Sequence, residues 1–324
     1  MHLLAAPDKL RGTLTAREAA RALAEGARRS GWTATELPLA DGGEGTLEAL
    51  GGANRTSTVH GPLGEPVEAE WRLEDGVAVI EMARASGLAL VAHNDPVAAS
   101  TRGTGELIAA ALDAGATSVV VGVGGSATTD GGLGAVEVLR GYAPLPVEVA
   151  CDVTTGFEEA AAVFGPQKGA TPDQVAELTE RLRALAARYA EELRVDVREL
   201  PGAGAAGGLA GGLAALGATL LPGFDLVARR AGLDAALAGV DLVVTAEGAI
   251  DATSFAGKVV GGVLGAAAAR GVAAVAVGGV VAAGCEGISL VERFGEARAW
   301  ADAAACLADV AAEVTRTREF PARF

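Results

Sequence analysis

The chain predicts an α/β protein of two domains. One is a parallel-sheet α/β domain formed by both chain ends, and the other is a mixed α/β domain in the middle. Three observations carry this expectation. The N-terminal part reads strand, loop, helix, strand, the order of a βαβ unit. The middle brings a hairpin signal, which marks an antiparallel insertion. The C-terminal part returns to apolar strands alternating with helices. The expected division is 1–58 with 235–324 for the first domain and 59–234 for the second.

Taken in order, His2 to Ala6 is a short strand, and Thr15-Ala-Arg-Glu18 is a capping box opening a helix that ends near Gly31. Thr33 to Leu39 is the next strand and runs into Asp41-Gly-Gly-Glu-Gly-Thr46. Pro66 to Leu73 and Val77 to Met82 flank Glu74-Asp75-Gly76 as a hairpin. Thr104 to Gly115 reads as a helix and Ser118 to Val123 as a buried strand. Thr171-Pro172 is a helix start, with Val175, Leu178, Leu182, Leu185 and Tyr189 on one face for core packing. Asp241 to Thr245 is a strand, Lys258 to Arg270 a helix, Val272 to Val277 a strand and Ala301 to Thr317 a last helix. No repeat period is present.

Composition narrows the function. Half the residues are apolar with few aromatics, so the core is aliphatic. The formal charge of −15 and the lack of a basic face exclude an ordinary nucleic-acid binder. Cys151, Cys285 and Cys306 make an odd, unmotified set, read as reduced thiols of a cytoplasmic protein. His2, His60 and His93 are isolated, which speaks against a His-based metal site. No signal peptide is read at the N-terminus. The uncharged stretch Gly202 to Phe224 is too rich in glycine, with Pro222, for a membrane span.

Forty-six glycines exceed the usual share of about 7 %, and they cluster in loops at strand ends. All three lysines, Lys9, Lys168 and Lys258, stand in or beside such loops. An ammonium on a flexible stem suits phosphate. In Asp41 to Thr46, Gly42 and Gly43 bare the backbone. There Asp41 and Glu44 suit Mg²⁺ binding or acceptance of a hydroxyl proton. In Gly124-Gly125-Ser126-Ala-Thr128-Thr-Asp130-Gly-Gly132, amides and hydroxyls make an anion cradle beside the Asp130 carboxylate. Phe164 to Gly169 presents Lys168 in a turn. Thr245 to Asp251, followed by Gly257-Lys258, places Glu247, Asp251 and Lys258 between a strand end and a helix start, where they suit a phosphate–metal pair.

Two dinucleotide-like patterns do not hold up. Gly202-Ala-Gly-Ala-Ala-Gly207 lacks a preceding buried strand and is read as close helix packing. Gly122-Val-Gly-Gly-Ser-Ala127 runs into Thr-Thr-Asp before any helix. A Walker A loop is absent, since Ala252 stands for its first glycine and Val259 follows the lysine.

As an ordered set, the loops resemble the bacterial glycerate kinase family. The segments are Ala6 to Ala16, Asp41 to Thr46, Val79 to Ala83 with Ser86 to Leu88, and Gly103 to Ile108. Gly124 to Gly132, Cys151 to Val153, Phe164 to Ala170, Pro201 to Gly208 and Asp241 to Lys258 follow. The resemblance implies ATP-dependent, Mg²⁺-assisted phosphorylation of D-glycerate, with the 2-hydroxyl as acceptor and 2-phosphoglycerate as product. It also implies two α/β domains, one of them flavodoxin- or Rossmann-like, with the site in the cleft between them. On this view Asp41 or Asp130 accepts the hydroxyl proton, and Glu44, Glu247 and Asp251 are metal candidates. Lys9 or Arg11 holds the glycerate carboxylate. Gly42, Gly43, Gly124, Gly125, Ser126, Thr128, Lys168 and Lys258 handle phosphate.

The sequence departs from the family pattern in three places. Lys9 takes a serine's place and Arg11 a lysine's in the first loop. Thr155-Gly156 stands for Asn-Pro, and Ala249 stands for an arginine. A kinase for another small hydroxy acid, or a nucleotide-binding regulator without turnover, are the alternatives these changes raise. The sequence does not choose between monomer and homodimer.

Overall fold

The computed structural model describes residues 1–317; positions 318–324, which the sequence assigns to the end-built domain, lie outside the described residues. The chain folds into two compact units. One comprises Met1–Asp41, Glu48–Leu50 and the chain from Gly223 onward; the other comprises Gly42–Leu47 and Gly51–Pro222.

The first unit is a five-stranded, wholly parallel sheet. Its strands are β1 (His2–Ala5), β2 (Thr33–Glu36), β9 (Leu242–Ile250), β10 (Ala273–Val281) and β11 (Ile288–Ser289), in the order β11-β10-β9-β1-β2. Counted within the unit this is the flavodoxin-like order 2-1-3-4-5. Parallel strands are buried on both faces, which is why β1, β9 and β10 read as apolar runs. Alternate side chains serve opposite faces. Leu3, Ala5, Val244 and Val277 pack with Leu23, Leu307 and Val310 of the helices Ala16–Arg29 and Ala303–Thr317. Leu4, Val243 and Ala276 pack with Val227, Val260 and Val263 of the helices Gly223–Ala231 and Val259–Ala269. Gly26 lets two of these helices touch, since a Cβ there would stand 2.1 Å from Ala308 O.

The expected capping box is present. The Thr15 hydroxyl accepts from Glu18 N, and Glu18 Oε2 accepts from Thr15 N at 2.9 Å. β2 stops at Glu36 instead of Leu39. Pro38 carries no N–H, although Leu37 N and Leu39 N still donate to Ala5 O and Pro7 O at 2.8 and 2.9 Å. β9 is longer than expected because β10 runs beside it to Val281↔Ile250. Glu247, Gly248 and Ala249 therefore stand on a strand end, and the loop begins only at Asp251.

The second unit holds a six-stranded sheet in the order β3-β4-β5-β6-β7-β8. These are Arg55–His60, Pro66–Glu74, Val77–Glu81, Ser118–Gly122, Val147–Ala150 and Thr219–Leu221. β3 to β5 pair antiparallel and β5 to β8 parallel. The expected hairpin joins β4 to β5, with positive φ at both Asp75 (48°) and Gly76 (76°), as a primed two-residue turn requires. The helix Pro172–Glu192 starts at a Thr171–Gln174 capping box and buries Leu178, Leu182, Leu185 and Tyr189. Tyr189 meets Phe157 edge-on at 6.1 Å. Among the described residues no helix is long and apolar enough to cross a membrane.

Candidate active site

In an open parallel sheet, ligands bind beyond the carboxyl ends of the strands, where neighbouring connections leave in opposite directions. In the first unit that point lies between β1 and β9. A cavity of about 630 Å³ opens there, lined by Asp8, Lys9, Arg11, Asp41, Glu247, Asp251 and Lys258 together with apolar residues. Asp8 follows β1 and is held along β9 by its N–H, which donates to Ala246 O at 2.9 Å. Asp8 Oδ1 accepts from Lys9 N at 2.7 Å and lies 3.9 Å from Lys9 Nζ. Leu10 and Leu14 exchange backbone hydrogen bonds of 2.9 and 3.0 Å, which pinch off a tight loop with Arg11 exposed at its tip. Gly248 admits that loop to the strand: a Cβ there would stand 3.1 Å from Arg11 N.

Four carboxylates share this cavity with three cations. Asp8 is only 6 % exposed. Burial pushes it up to about 7, Asp41 and Glu247 add to the rise, and Lys9 opposes it. Burial also raises Glu247, with Asp41 and Asp251 adding and the Ser254 hydroxyl and Lys258 opposing. Lys258 Nζ lies 4.0 Å from Glu247 Oε1, while Glu247 Oε2 is buried and accepts no hydrogen bond. Asp251 falls below the usual carboxylate range because it caps a turn, accepting from Thr253 Oγ1 at 2.6 Å and Thr253 N at 2.7 Å. Lys258 is the N-cap residue of the helix Val259–Ala269. Its ammonium thus accompanies amides that already favour an anion.

The second unit builds two glycine loops. Glu81, at the end of β5 and 4 % exposed, accepts from Gly45 N at 2.8 Å and Leu47 N at 3.0 Å. That clamp shapes the 42–47 loop and leaves Glu44 exposed. The loop lies against the end of β6, where a Cβ on Gly124 would stand 2.7 Å from Gly43 Cα.

The 124–132 loop divides into two parts. Gly124, Gly125 and Ser126 reach the surface, whereas Thr128 is buried. Asp130 keeps some surface, but its carboxylate is enclosed. It accepts from Thr101 N and Oγ1, both at 2.8 Å, and from Gly132 N and Gly134 N at 3.1 and 3.2 Å. Burial raises its pKa against these four bonds.

Lys168 is not presented in an open turn as the sequence suggested. It is 3 % exposed and donates to Thr128 O at 2.6 Å. Burial lowers it to about 8, against the pull of Asp130. Thr128, Asp130 and Lys168 thus brace the loop from within, because its backbone carbonyls and amides need partners once buried. The GxGxxG segment packs closely, but against loop backbone and not against a helix as expected. Gly207 has φ 68°, and a Cβ there would stand 2.0 Å from Thr128 O.

Of the sequence candidates, Lys9, Arg11, Asp41, Glu247, Asp251 and Lys258 share one cavity. Gly42, Gly43, Glu44, Gly124, Gly125, Ser126, Thr128, Asp130 and Lys168 belong to the loops of the second unit. Two participants were not singled out. Asp8 stood in the quoted first loop, and its place just past a strand end was the available signal. Glu81 ends an apolar strand run, where a carboxylate needs a partner.

Known proteins match this chain over most of its length. The model of the glycerate kinase family matches residues 3–145 and 139–320. The chain is 42 % identical to glycerate 2-kinase of Escherichia coli, covering 81 % of both chains, and 41 % identical to a glycerate kinase of Halalkalibacterium halodurans, covering 82 % of both. A solved structure from Salmonella typhimurium LT2, designated provisionally as glycerate kinase 2, superposes with a TM-score of 0.84 at 37 % identity over 98 % of each chain. With most of its length matched in sequence and nearly all of it in fold, the chain belongs to the glycerate kinase family.

Proposed function

We propose that this glycerate kinase transfers the γ-phosphoryl group of ATP, with Mg²⁺, to the 2-hydroxyl of D-glycerate and releases 2-phosphoglycerate. The observation that carries the reading is the mixed-charge cavity at the switch point of the parallel sheet. The kinase family implies ATP, and the E. coli relative's designation as a 2-kinase supports the choice of hydroxyl.

The roles follow from charge and position. Arg11, exposed on its pinched loop, and Lys9 take the glycerate carboxylate; a guanidinium fork suits a carboxylate in two-point contact. Lys258, at a helix N-terminus, takes phosphate oxygens. Asp41 accepts the hydroxyl proton, and Asp8 and Glu247, both shifted by burial toward their protonated forms, stand beside it. Asp130 spends its oxygens on Thr101, Gly132 and Gly134, so the base role falls to Asp41. The surface amides of Gly124 and Gly125 and the Ser126 hydroxyl remain the phosphate donors of the second unit, with Gly42 and Gly43 in its other loop.

The cavity also fits Mg²⁺. Hard carboxylate oxygens are its preferred protein ligands, and Glu247 Oε2 is a buried oxygen lacking a donor. Glu247 and Asp251 would hold the ion, which supplies charge neutralisation on the transferring phosphoryl group. Glu44 is the exposed residue of the otherwise partly buried 42–47 loop of the second unit. Among the described residues no three His, Cys, Asp or Glu groups are arranged to hold a metal by themselves, and a nucleotide-borne Mg²⁺ needs only one or two carboxylates.

A second reading has one observation behind it. Ala249 lines the cavity and is exposed where the family carries an arginine, which leaves room for a larger hydroxy acid. An acceptor panel tests both readings. D-glycerate is expected to give the highest kcat/KM, and a bulkier 2-hydroxy acid exceeding it would displace glycerate as the substrate.

A further inference from the structure

The cavity has two chemically different ends. One carries the charges described above; the other is formed by Leu10, Gly12, Gly279, Val280, Val291, Ala299 and Trp300. Single exposed apolar residues are ordinary on a protein surface. Here two large ones line one cavity, with Trp300 57 % and Val280 47 % exposed. Gly12 keeps the indole close to the loop that bears Arg11. A Cβ there would stand 3.4 Å from Trp300 Cζ3, and φ is 84°, a conformation that favours glycine. The neighbouring sheet edge is also open. β11 pairs with β10 only at Val277 and Gly278, so among the described residues that edge continues past Gly279 and Val280 without a sheet partner.

We propose that Trp300 is the stacking platform for the purine of ATP, with the open edge of β10 at Gly279 and Val280 reading the purine's polar rim. The inference rests on the kinase reading and locates one part of the nucleotide within it. An aromatic face stacks any base, and backbone groups at a strand end add hydrogen bonds to its edge. Lys258 borders the same cavity, so a purine on Trp300 has a cation for its phosphates within one continuous site, while Lys9 and Arg11 stay with the acceptor carboxylate. Glycerate, a small anion with no ring, has no use for an indole.

The sequence supplies the probe. Trp32 and Trp71 are buried at 7 % and 3 % exposure, so a contact at the surface reports through Trp300. The experiment titrates the full-length protein with ATP, with inorganic tripolyphosphate and with D-glycerate. Tryptophan fluorescence is followed for the wild type, and calorimetry for wild type, Trp300→Phe and Trp300→Ala. ATP is expected to perturb the exposed indole while tripolyphosphate and glycerate do not. Trp300→Ala is expected to weaken ATP about tenfold, with Trp300→Phe retaining most of the affinity and tripolyphosphate affinity unchanged in both.

Unchanged ATP affinity in Trp300→Ala, in a protein that still turns over, would overturn the stacking proposal alone. A loss shared equally by tripolyphosphate would make Trp300 a structural support and also overturn it. A glycerate-dependent change at Trp300 would assign the platform to the acceptor. Failure of the wild type to bind either ATP or tripolyphosphate would remove the kinase reading itself, and the purine site with it.

Discussion

Replacing Asp8 by Asn tests how the site holds its carboxylates. Burial moves Asp8 from an ordinary 3.8 to about 7, so the folded protein takes up a proton there more readily than the unfolded chain. Between about pH 4 and pH 7 the native state therefore binds more protons, and stability falls as pH rises through that window. Above pH 7 the full cost of an ionised, buried Asp8 is present. At about 1.4 kcal/mol per pH unit, the cost reaches about 4 kcal/mol as an upper bound. Asparagine keeps an oxygen for the Lys9 N–H and removes the charge. Asp8→Asn is expected to be more stable than wild type by about 1–3 kcal/mol at pH 8, with the gain vanishing near pH 4. Urea unfolding at both pH values reads this directly. Turnover is expected to fall at the same time, since a strained site trades stability for activity. A variant equally destabilised at pH 4 and pH 8 would refute the argument. It would make Asp8 a structural hydrogen-bond acceptor with no electrostatic cost.

Three further changes probe the other parts. Asp41→Asn is expected to lower kcat by about 10²–10⁴-fold with a small change in KM for ATP, measured by steady-state kinetics; a variant within threefold of wild type removes Asp41 from the base role. Glu81→Ala leaves the Gly45 and Leu47 amides without their buried acceptor. About 1–3 kcal/mol of stability should be lost, with kcat falling through the loosened 42–47 loop, and wild-type urea unfolding would show the clamp to be idle. Gly207→Ala adds a Cβ 2.0 Å from Thr128 O at a φ of 68°, and an expected loss of about 2–4 kcal/mol should appear as a lowered urea midpoint.

Much of the secondary structure of both units was legible because its signals are local. The Thr15 capping box, the Thr171-Pro172 helix start, the Asp75-Gly76 turn and the apolar runs of β1, β6, β9 and β10 each stand within a few residues. β3 was not, because Arg55-Thr-Ser-Thr-Val-His60 buries only Val59 and so shows no apolar alternation. The site residues around β1 and β9 were legible for a similar reason: charged residues beside glycine at strand ends have few structural uses. What sequence could not separate was a lysine aimed at a ligand from one aimed at its own backbone. Lys9 and Lys168 both sit beside short loops, yet only the fold places the Lys168 ammonium on Thr128 O. Asp130 posed the same difficulty, since its four donors come from Thr101, Gly132 and Gly134, with Thr101 distant in the chain.

The most direct test of the account is an ADP-release assay with Mg²⁺, ATP and D-glycerate, with the product examined by phosphorus NMR. The account predicts glycerate-dependent ADP release and a phosphate carried by the 2-hydroxyl. Phosphate on the 3-hydroxyl would contradict the proposed acceptor. No glycerate-dependent release from a protein that binds ATP would contradict the proposed reaction.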